Sequence, residues 1–244
     1  MAPAPRTLFI DAGGVLVRPN WSRVCGYFAR HGGVADAARL AHAELVAARE
    51  LDTPENFRNS DDASRWSRFV ATVFRHAGLD GDTAVSAAVL RDMRAYHQSQ
   101  NLWETVPPGV PEAVDRLRGA GFQLVVVSNA NGTVRAKLER LGLAPRFHHI
   151  LDSFEENVEK PDPRFFEIAI LRSGADRAST IHIGDLYHVD IVGARAAGLQ
   201  AVLLDSAGLH AGRDCDRVAS LGEFADRVCG PEGRLNQPSK VPVK

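Results

Sequence analysis

The segment Thr7-Leu8-Phe9-Ile10-Asp11-Ala12-Gly13-Gly14-Val15-Leu16 decides the fold of this chain. It begins with a short apolar run, which is typical of a fully buried strand in a parallel sheet. The two glycines then end the strand. Because open α/β sheets bind ligands at the carboxyl ends of their strands, Asp11 stands where a functional carboxylate would lie. An aspartate here could also do no more than cap a turn, so this segment alone leaves both interpretations open.

Polar residues follow other predicted elements in the same way. Val125-Val126-Val127-Ser128-Asn129 is a buried strand that ends in a hydroxyl group. Ile181-His182-Ile183-Gly184-Asp185 ends in an aspartate, and Asp190 follows five residues later. Between these strands, Glu159-Lys160-Pro161-Asp162-Pro163 places a lysine just before a helix start, since proline is favoured in the first helical position.

Asp11, Ser128, Lys160, Asp185 and Asp190, in this order, resemble the four motifs of the haloacid dehalogenase superfamily. The resemblance spans roughly residues 6 to 206. It departs from the commonest pattern at one position. The first motif usually reads Asp-x-Asp, and this chain has Asp11-Ala12-Gly13.

Strands and helices alternate regularly after Pro107, which predicts an α/β fold with a doubly wound parallel sheet, Rossmann-like in its right-handed crossovers. Five strands are predicted, over residues 8–10, 123–128, 149–151, 180–184 and 201–204. The family resemblance, and not the pattern itself, implies that they lie in the order 5-4-1-2-3.

About a hundred residues separate the first two strands, and they carry helical patterns only. Four helices are too many for a simple crossover connection, so they predict a smaller, all-helical cap domain. We therefore expect a core over residues 1–17 and 103–229 and a cap over residues 18–102. Residues 230–244 contain three prolines and little to bury, which predicts a mobile tail.

Composition excludes several classes of partner. A net charge of −1 and a pI of about 6.8 argue against binding to nucleic acid, which favours a basic face. The longest apolar runs are too short for a membrane span. Cys25, Cys215 and Cys229 are odd in number and form no Cys-x-x-Cys pair, which favours a reducing compartment. Only six residues precede the first predicted strand, so we expect no signal peptide. We expect a cytoplasmic protein; its oligomeric state stays open.

The resemblance implies a Mg²⁺-dependent phosphohydrolase that acts on a small phosphorylated metabolite. Asp11 would be the nucleophile, because a carboxylate can form an aspartyl-phosphate intermediate. Ser128 and Lys160 would complete the catalytic set, and both would bind the phosphate together with Asn129. The ammonium group of Lys160 acts as a point charge that can neutralise Asp11 as well as the phosphate.

The resemblance also implies a metal site. Asp11 and Asp185 would be direct ligands, and the third protein ligand would be the main-chain carbonyl of Gly13, which does not depend on a side chain. Asp190 would orient the loop or a metal-bound water without touching the metal. Three carboxylates would repel a phosphate, whereas Mg²⁺ favours such oxygen ligands and bridges to phosphates.

The side chain that is missing at Gly13 is the usual general acid and base of the family, a role worth roughly 10²–10⁴ in rate. Three explanations stay open. The leaving group needs no proton, another group supplies it, or the protein turns over slowly or not at all. His188 is the best surrogate in the sequence, although an exposed loop histidine is the simpler interpretation. His182 is interpreted as a packing residue.

Two alternatives to the phosphohydrolase remain. A metal-independent 2-haloacid dehalogenase is favoured by the absence of an aspartate at Gly13, but it has little use for Asp185 together with Asp190. A catalytically weak module that binds a phosphate ligand is supported by Gly13 alone.

Overall fold

The computed structural model describes residues 7–57, 62–79 and 83–230. The first six residues and the predicted mobile tail beyond Gly230 lie outside the described residues. Contacts divide the chain into two compact units, one formed by Arg18–Thr105 and the other by Met1–Val17 with Val106–Lys244. In the part of the chain that the structure describes, no helix is long and apolar enough to cross a membrane.

The described residues form eight strands, numbered here in chain order: β1 (Thr7–Ile10), β2 (Arg18–Pro19), β3 (Trp103–Thr105), β4 (Gln123–Ser128), β5 (His149–Asp152), β6 (Thr180–Gly184), β7 (Gln200–Leu204) and β8 (Asp216–Val218).

They form eleven α-helices, numbered in the same way: α1 (Trp21–Arg30), α2 (Ala37–Leu51), α3 (Pro54–Phe57), α4 (Asp62–His76), α5 (Ala84–Ser99), α6 (Val110–Gly119), α7 (Val134–Arg140), α8 (Ser153–Glu156), α9 (Pro163–Ser173), α10 (Gly193–Ala196) and α11 (Leu221–Cys229).

The larger unit is organised around a parallel sheet in the order β5-β4-β1-β6-β7-β8. The predicted fold class is confirmed, and the order of the five predicted strands is the one that the resemblance implies. The prediction of five strands is incomplete, because β8 adds a sixth at the edge beside β7. This strand is only three residues long, and the charged pair Asp216 and Arg217 hides its pattern.

β1 lies inside this sheet, paired with β4 on one side and β6 on the other. Leu8, Phe9 and Ile10 have no exposed surface. Because parallel sheets are covered by helices on both faces, such strands read as continuous apolar runs rather than as an alternation. On one face Phe9 packs in a cluster with Phe165 and Phe166 of α9.

The smaller unit has a core of its own. Helices α1, α2, α4 and α5 pack together around a cluster that includes Trp21, Val24, Phe28, Leu40, Val70, Val73, Phe74 and Met93. The sequence predicts an all-helical cap, but this unit also contains strands. β2 and β3 pair as a short antiparallel ribbon, so residues 103–105 belong to this unit rather than to the sheet unit.

Gly26 offers a test of the helical unit. It lies in the middle of α1, is exposed, and a Cβ atom built on it meets no atom within 4 Å. Because alanine restricts the unfolded chain and favours the helix, Gly26→Ala should raise the free energy of unfolding by about 0.5–1 kcal/mol. Chemical denaturation of both proteins checks this. A lower free energy of unfolding for the variant would contradict the placement of Gly26.

Candidate active site

Three neighbouring strands bring the predicted site residues to one edge of the sheet. Asp11 directly follows β1, Ser128 is the last residue of β4, and Asp185 directly follows β6. β1 lies between the other two strands in parallel register, with Ile10 beside Val126 and Ile183. The three polar residues therefore meet at the carboxyl edge, where α/β proteins bind ligands.

The loop after β1 turns back on itself and holds Asp11 in place. The backbone N–H of Asp11 donates to the carbonyl of Ile183 over 2.9 Å, which continues the sheet by one residue. Gly14 has φ +73°, and a Cβ atom at this position would lie 1.9 Å from Oδ2 of Asp185. Only glycine fits here, because the carboxylate of Asp185 lies directly against the loop backbone.

Lys160 forms the centre of the site. Its side chain is 1% exposed, and its Nζ donates to Oδ1 of Asp11 and to Oδ1 of Asp190, over 2.7 Å in each case. Asn129 fixes the lysine from the other side. Its Oδ1 accepts from the Lys160 N–H and its Nδ2 donates to the Lys160 carbonyl, both over 2.8 Å. The loop after β4 thus positions the cation that faces β1.

Asp190 is held by three donors. Besides Lys160, the ring Nε2 of His182 lies 3.0 Å from its Oδ1, and the backbone N–H of Leu186 donates to its Oδ2 over 3.0 Å. A π-helical segment, Tyr187–Val192, carries Asp190 back under the strand end. A Cβ atom on Gly184 would lie 2.1 Å from Cγ of Asp190, so this glycine is also required by a close approach.

Burial and pairing divide the charges of the site unequally. Burial raises the pKa of Asp11, and repulsion by Asp190 adds to this, while Lys160 opposes both. Burial would also raise the pKa of Asp190, but Lys160 and His182 outweigh it, so the pKa of Asp190 is lowered. The two pKa shifts have opposite signs because Lys160 and His182 both bond to the side chain of Asp190, whereas Lys160 alone of these two bonds to Asp11. Asp11 is therefore the less stabilised, more reactive carboxylate.

Lys160 and His182 shift in opposite directions. Burial would lower the pKa of Lys160, but Asp11 and Asp190 outweigh it, and the pKa is raised. Burial lowers the pKa of His182, and the attraction of Asp190 does not overcome it. The lysine is therefore charged and the histidine is neutral at physiological pH.

The carboxylates of Asp11, Asp185 and Asp190 form a cluster in which one oxygen of each lies within 4.8 Å of the others. Lys160 supplies one positive charge against these three negative ones. Oxygen-rich clusters of this kind suit hard divalent cations such as Mg²⁺. The close approach of Asp185 to Gly14 brings its carboxylate to the loop that carries Asp11.

The structure brings together Asp11, Lys160, Asp185 and Asp190, as the sequence predicts. Ser128 lies beside them with 4% of its surface exposed, and no described residue accepts or donates a hydrogen bond at its hydroxyl group. His182 is buried but does more than pack, since it bonds to Asp190. Sequence reasoning missed this role because only the fold brings position 182 to Asp190. His188 is half-buried rather than exposed.

Comparison with known protein families identifies the family of this chain. Residues 5–198 match the family model of the haloacid dehalogenase-like hydrolases. This match covers most of the chain, and the chain belongs to that family.

Individual relatives match over shorter stretches. The ribulose-1,5-bisphosphate 5-phosphatase of Halopiger xanaduensis is 33% identical over 133 residues, which cover 50% of this chain and 56% of the relative. The glyceraldehyde 3-phosphate phosphatase of Pyrococcus abyssi is 31% identical over 119 residues, or 48% of each chain. The chain thus spans about half the length of the curated relatives it matches.

Solved structures share the whole fold at low sequence identity. The HAD-hydrolase YfnB from Bacillus subtilis, bound to magnesium, has a TM-score of 0.65 with 17% identity and covers 91% of this chain and 97% of its own. A 2-haloacid dehalogenase from Pseudomonas syringae has a TM-score of 0.55 with 22% identity, over 92% and 98%. This likeness defines the fold without separating the two chemistries.

Replacing the central cation tests the electrostatics of the site without any ligand. Lys160→Met leaves Asp11 and Asp190 buried with no ammonium group, so at about pH 7.5 the free energy of unfolding should fall by about 3–5 kcal/mol. Without the lysine, the folded-state pKa of these carboxylates is raised above the unfolded value. The two carboxyl groups then cost no stability at low pH, where they are protonated, and they destabilise the fold as pH rises through their folded-state pKa. The difference in free energy of unfolding between the wild type and Lys160→Met should therefore shrink by more than half toward about pH 4.5.

Denaturation with a chelator at both pH values checks this, with Arg116→Met as the matched control. Arg116 pairs with Asp226 on the surface, where both side chains are at least half exposed, so this variant should lose no more than about 1 kcal/mol at either pH. An equal deficit of Lys160→Met at both pH values would contradict the buried charge arrangement.

Proposed function

We propose that the protein is a Mg²⁺-dependent phosphohydrolase that acts on a small phosphorylated metabolite through a phospho-Asp11 intermediate. The observation that carries this proposal is the pairing of the Asp11 carboxylate with the buried ammonium group of Lys160, 2.7 Å away, beside the carboxylates of Asp185 and Asp190. The phosphatase names of the relatives support the same reaction class.

Asp11 attacks the phosphorus atom with a carboxylate oxygen, which forms a P–O bond as the bond to the leaving oxygen breaks. Water then attacks the phosphorus of this acyl phosphate, which releases inorganic phosphate and regenerates the carboxylate. Lys160 holds positive charge beside the nucleophile throughout. Ser128 donates its hydroxyl to a phosphoryl oxygen, and Asn129 contributes its second amide hydrogen and keeps Lys160 in place.

Asp11, Asp185 and the carbonyl of Gly13 would hold the Mg²⁺ ion, and Asp190 would steady the loop that carries Asp185. When bound, such an ion neutralises the negative charge that a phosphate brings to a cluster of carboxylates. One carboxylate oxygen each of Asp11, Asp185 and Asp190 lies within 4.8 Å of the others, which supports a metal site at this position.

Protonation of the leaving group is the weak point of the site, because Gly13 has no side chain to do it. A substrate with a good leaving group, such as an acyl or aryl phosphate, departs without a proton. Substrates with poor leaving groups depend on a general acid. The first kind is therefore the substrate class that this chain handles best.

A metal-independent haloacid dehalogenase is the second candidate, and Gly13 is the observation in its favour. The metal-free dehalogenase reaction does not need a second carboxylate beside Asp11, yet Asp185 packs against Gly14 and lies in one cluster with Asp11. We also infer a cytoplasmic location, because Cys25, Cys215 and Cys229 are all free thiols.

Asp11→Asn tests the nucleophile. Asparagine keeps the shape of the side chain but carries no anionic oxygen, so phosphatase activity should fall by at least about 10⁴, the scale on which loss of a nucleophile is felt. The control is Asp36→Asn, which changes an exposed residue at the start of α2 where asparagine caps equally well. Comparable turnover by purified Asp11→Asn would exclude the covalent mechanism.

Gly13→Asp tests the missing proton donor. The variant should raise kcat/KM for an alkyl phosphate about tenfold and leave an aryl phosphate nearly unchanged, because only the alkyl leaving group needs the proton. Steady-state kinetics of the wild type and Gly13→Asp on both substrates, with saturating Mg²⁺, measure this effect. An equal change for the two substrates, in a protein that folds, would show that the proton is not the limitation.

A further inference from the structure

The lysines of this chain are few, and their distribution is unusual. The sequence contains four, Lys137, Lys160, Lys240 and Lys244, against twenty-five arginines. The last two lie outside the described residues. Lys137 and Lys160 are both buried, with 4% and 1% of their surface exposed. Lysine is among the residues least often buried, so each such position calls for a physical reason.

Helix α7 places Lys137 one turn from the edge of the sheet that holds Asp11. The helix begins shortly after β4, and the backbone N–H of its first residue, Val134, donates to Oδ2 of Asp152 over 3.3 Å. Asp152 pairs with Ser128 in the sheet, so the start of α7 lies at the carboxyl edge. Helical side chains lean toward the start of their helix, and Lys137 lies one turn in, on the buried face with Val134.

Lys137 has no partner of its own. Among the residues that the structure describes, none accepts a hydrogen bond from its Nζ, and no carboxylate oxygen lies within 4.0 Å of it. Lys160, by contrast, has two carboxylates at 2.7 Å. A mostly buried ammonium group without a bonded partner destabilises a fold unless water or an anion reaches it, so this position is suited to accept an anion.

The surrounding charges agree with this position. Burial lowers the pKa of Lys137 to about 8, and the attraction of Asp11 and Asp152 opposes the shift while Arg140 adds to it. Asp11 directly follows β1 and Asp152 is the last residue of β5, so both carboxylates belong to the edge of the sheet where α7 begins.

We propose that Lys137 is a second cationic residue of the active site, which binds the phosphate group of the substrate from the α7 side. This inference rests on the proposed phosphohydrolase function. Lys160 is already bonded to Asp11 and Asp190, whereas Lys137 has no carboxylate bonded to it among the described residues and can attract the incoming phosphate. Its ammonium group acts as a point charge toward a phosphate, so lysine suits this role.

Binding of inorganic phosphate, measured by titration calorimetry with Mg²⁺ present, tests the proposal in three variants. Lys137→Met keeps most of the side-chain volume and removes the charge, and it should weaken phosphate binding at least about tenfold, as expected for loss of a charge-assisted hydrogen bond. Lys137→Arg keeps the charge and should recover at least part of the loss. Arg116→Met removes a charge from an exposed surface pair with Asp226 and should bind phosphate like the wild type.

A second measurement uses the unchanged protein, so it does not depend on how a variant folds. An amine-selective acylating reagent at about pH 8 should modify Lys137 faster than Lys160, because a larger fraction of Lys137 is neutral at that pH. Peptide mass spectrometry resolves the four lysines. Inorganic phosphate with Mg²⁺ should slow the modification of Lys137 several-fold and leave Lys240 unaffected.

The outcomes separate this inference from the proposed function. Equal phosphate affinity of the wild type and Lys137→Met, or modification of Lys137 that phosphate does not slow, would overturn the inference while the phosphohydrolase stands. A wild-type protein that neither binds phosphate nor hydrolyses phosphate esters would overturn both. Loss of stability in Lys137→Met with unchanged phosphate affinity would assign the lysine to packing alone, against the proposal.

Discussion

The ammonium group of Lys160, held between Asp11 and Asp190, is the interaction on which the site depends. Two carboxylates this close and this deeply buried would repel each other and favour protonation. A single cation bonded to both opposes this effect, and together with the extra donors on Asp190 it lowers the pKa of that carboxyl group. Among the described residues Lys160 alone donates a side-chain hydrogen bond to Asp11, which agrees with the proposed role of Asp11 as the nucleophile.

The fold supplies this arrangement by placing strand ends side by side. β1 lies between β4 and β6 and is parallel to both, so residues far apart in sequence lie side by side at the same edge of the sheet. Two glycines make the close contacts possible. Gly14 lets Asp185 lie against the loop after β1, and Gly184 lets Asp190 lie under the end of β6. A side chain at either position would push a carboxylate out of the cluster.

The sequence was sufficient to predict the fold class, five of the six strands of the main sheet, and the residues that meet at its edge. Those predictions rested on local signals, namely apolar runs that end in polar residues. β8 was missed because a strand of three residues with two charges has no such signal. The bond of His182 to Asp190 and the burial of Lys137 were missed because they arise from tertiary contacts that no local pattern carries. Low lysine content beside many arginines was the one sequence signal that could have drawn attention to Lys137.

The central claim is that Asp11 carries the phosphoryl group during turnover. Rapid mixing with an aryl phosphate, acid quenching within the first turnover and mass spectrometry of the peptide that contains Asp11 test it most directly. The account predicts a phosphoryl group on Asp11 that forms and decays at rates consistent with turnover, and that is absent in the Asp11→Asn variant. Steady release of phosphate without any phosphorylated Asp11, under conditions that preserve an acyl phosphate, would contradict it.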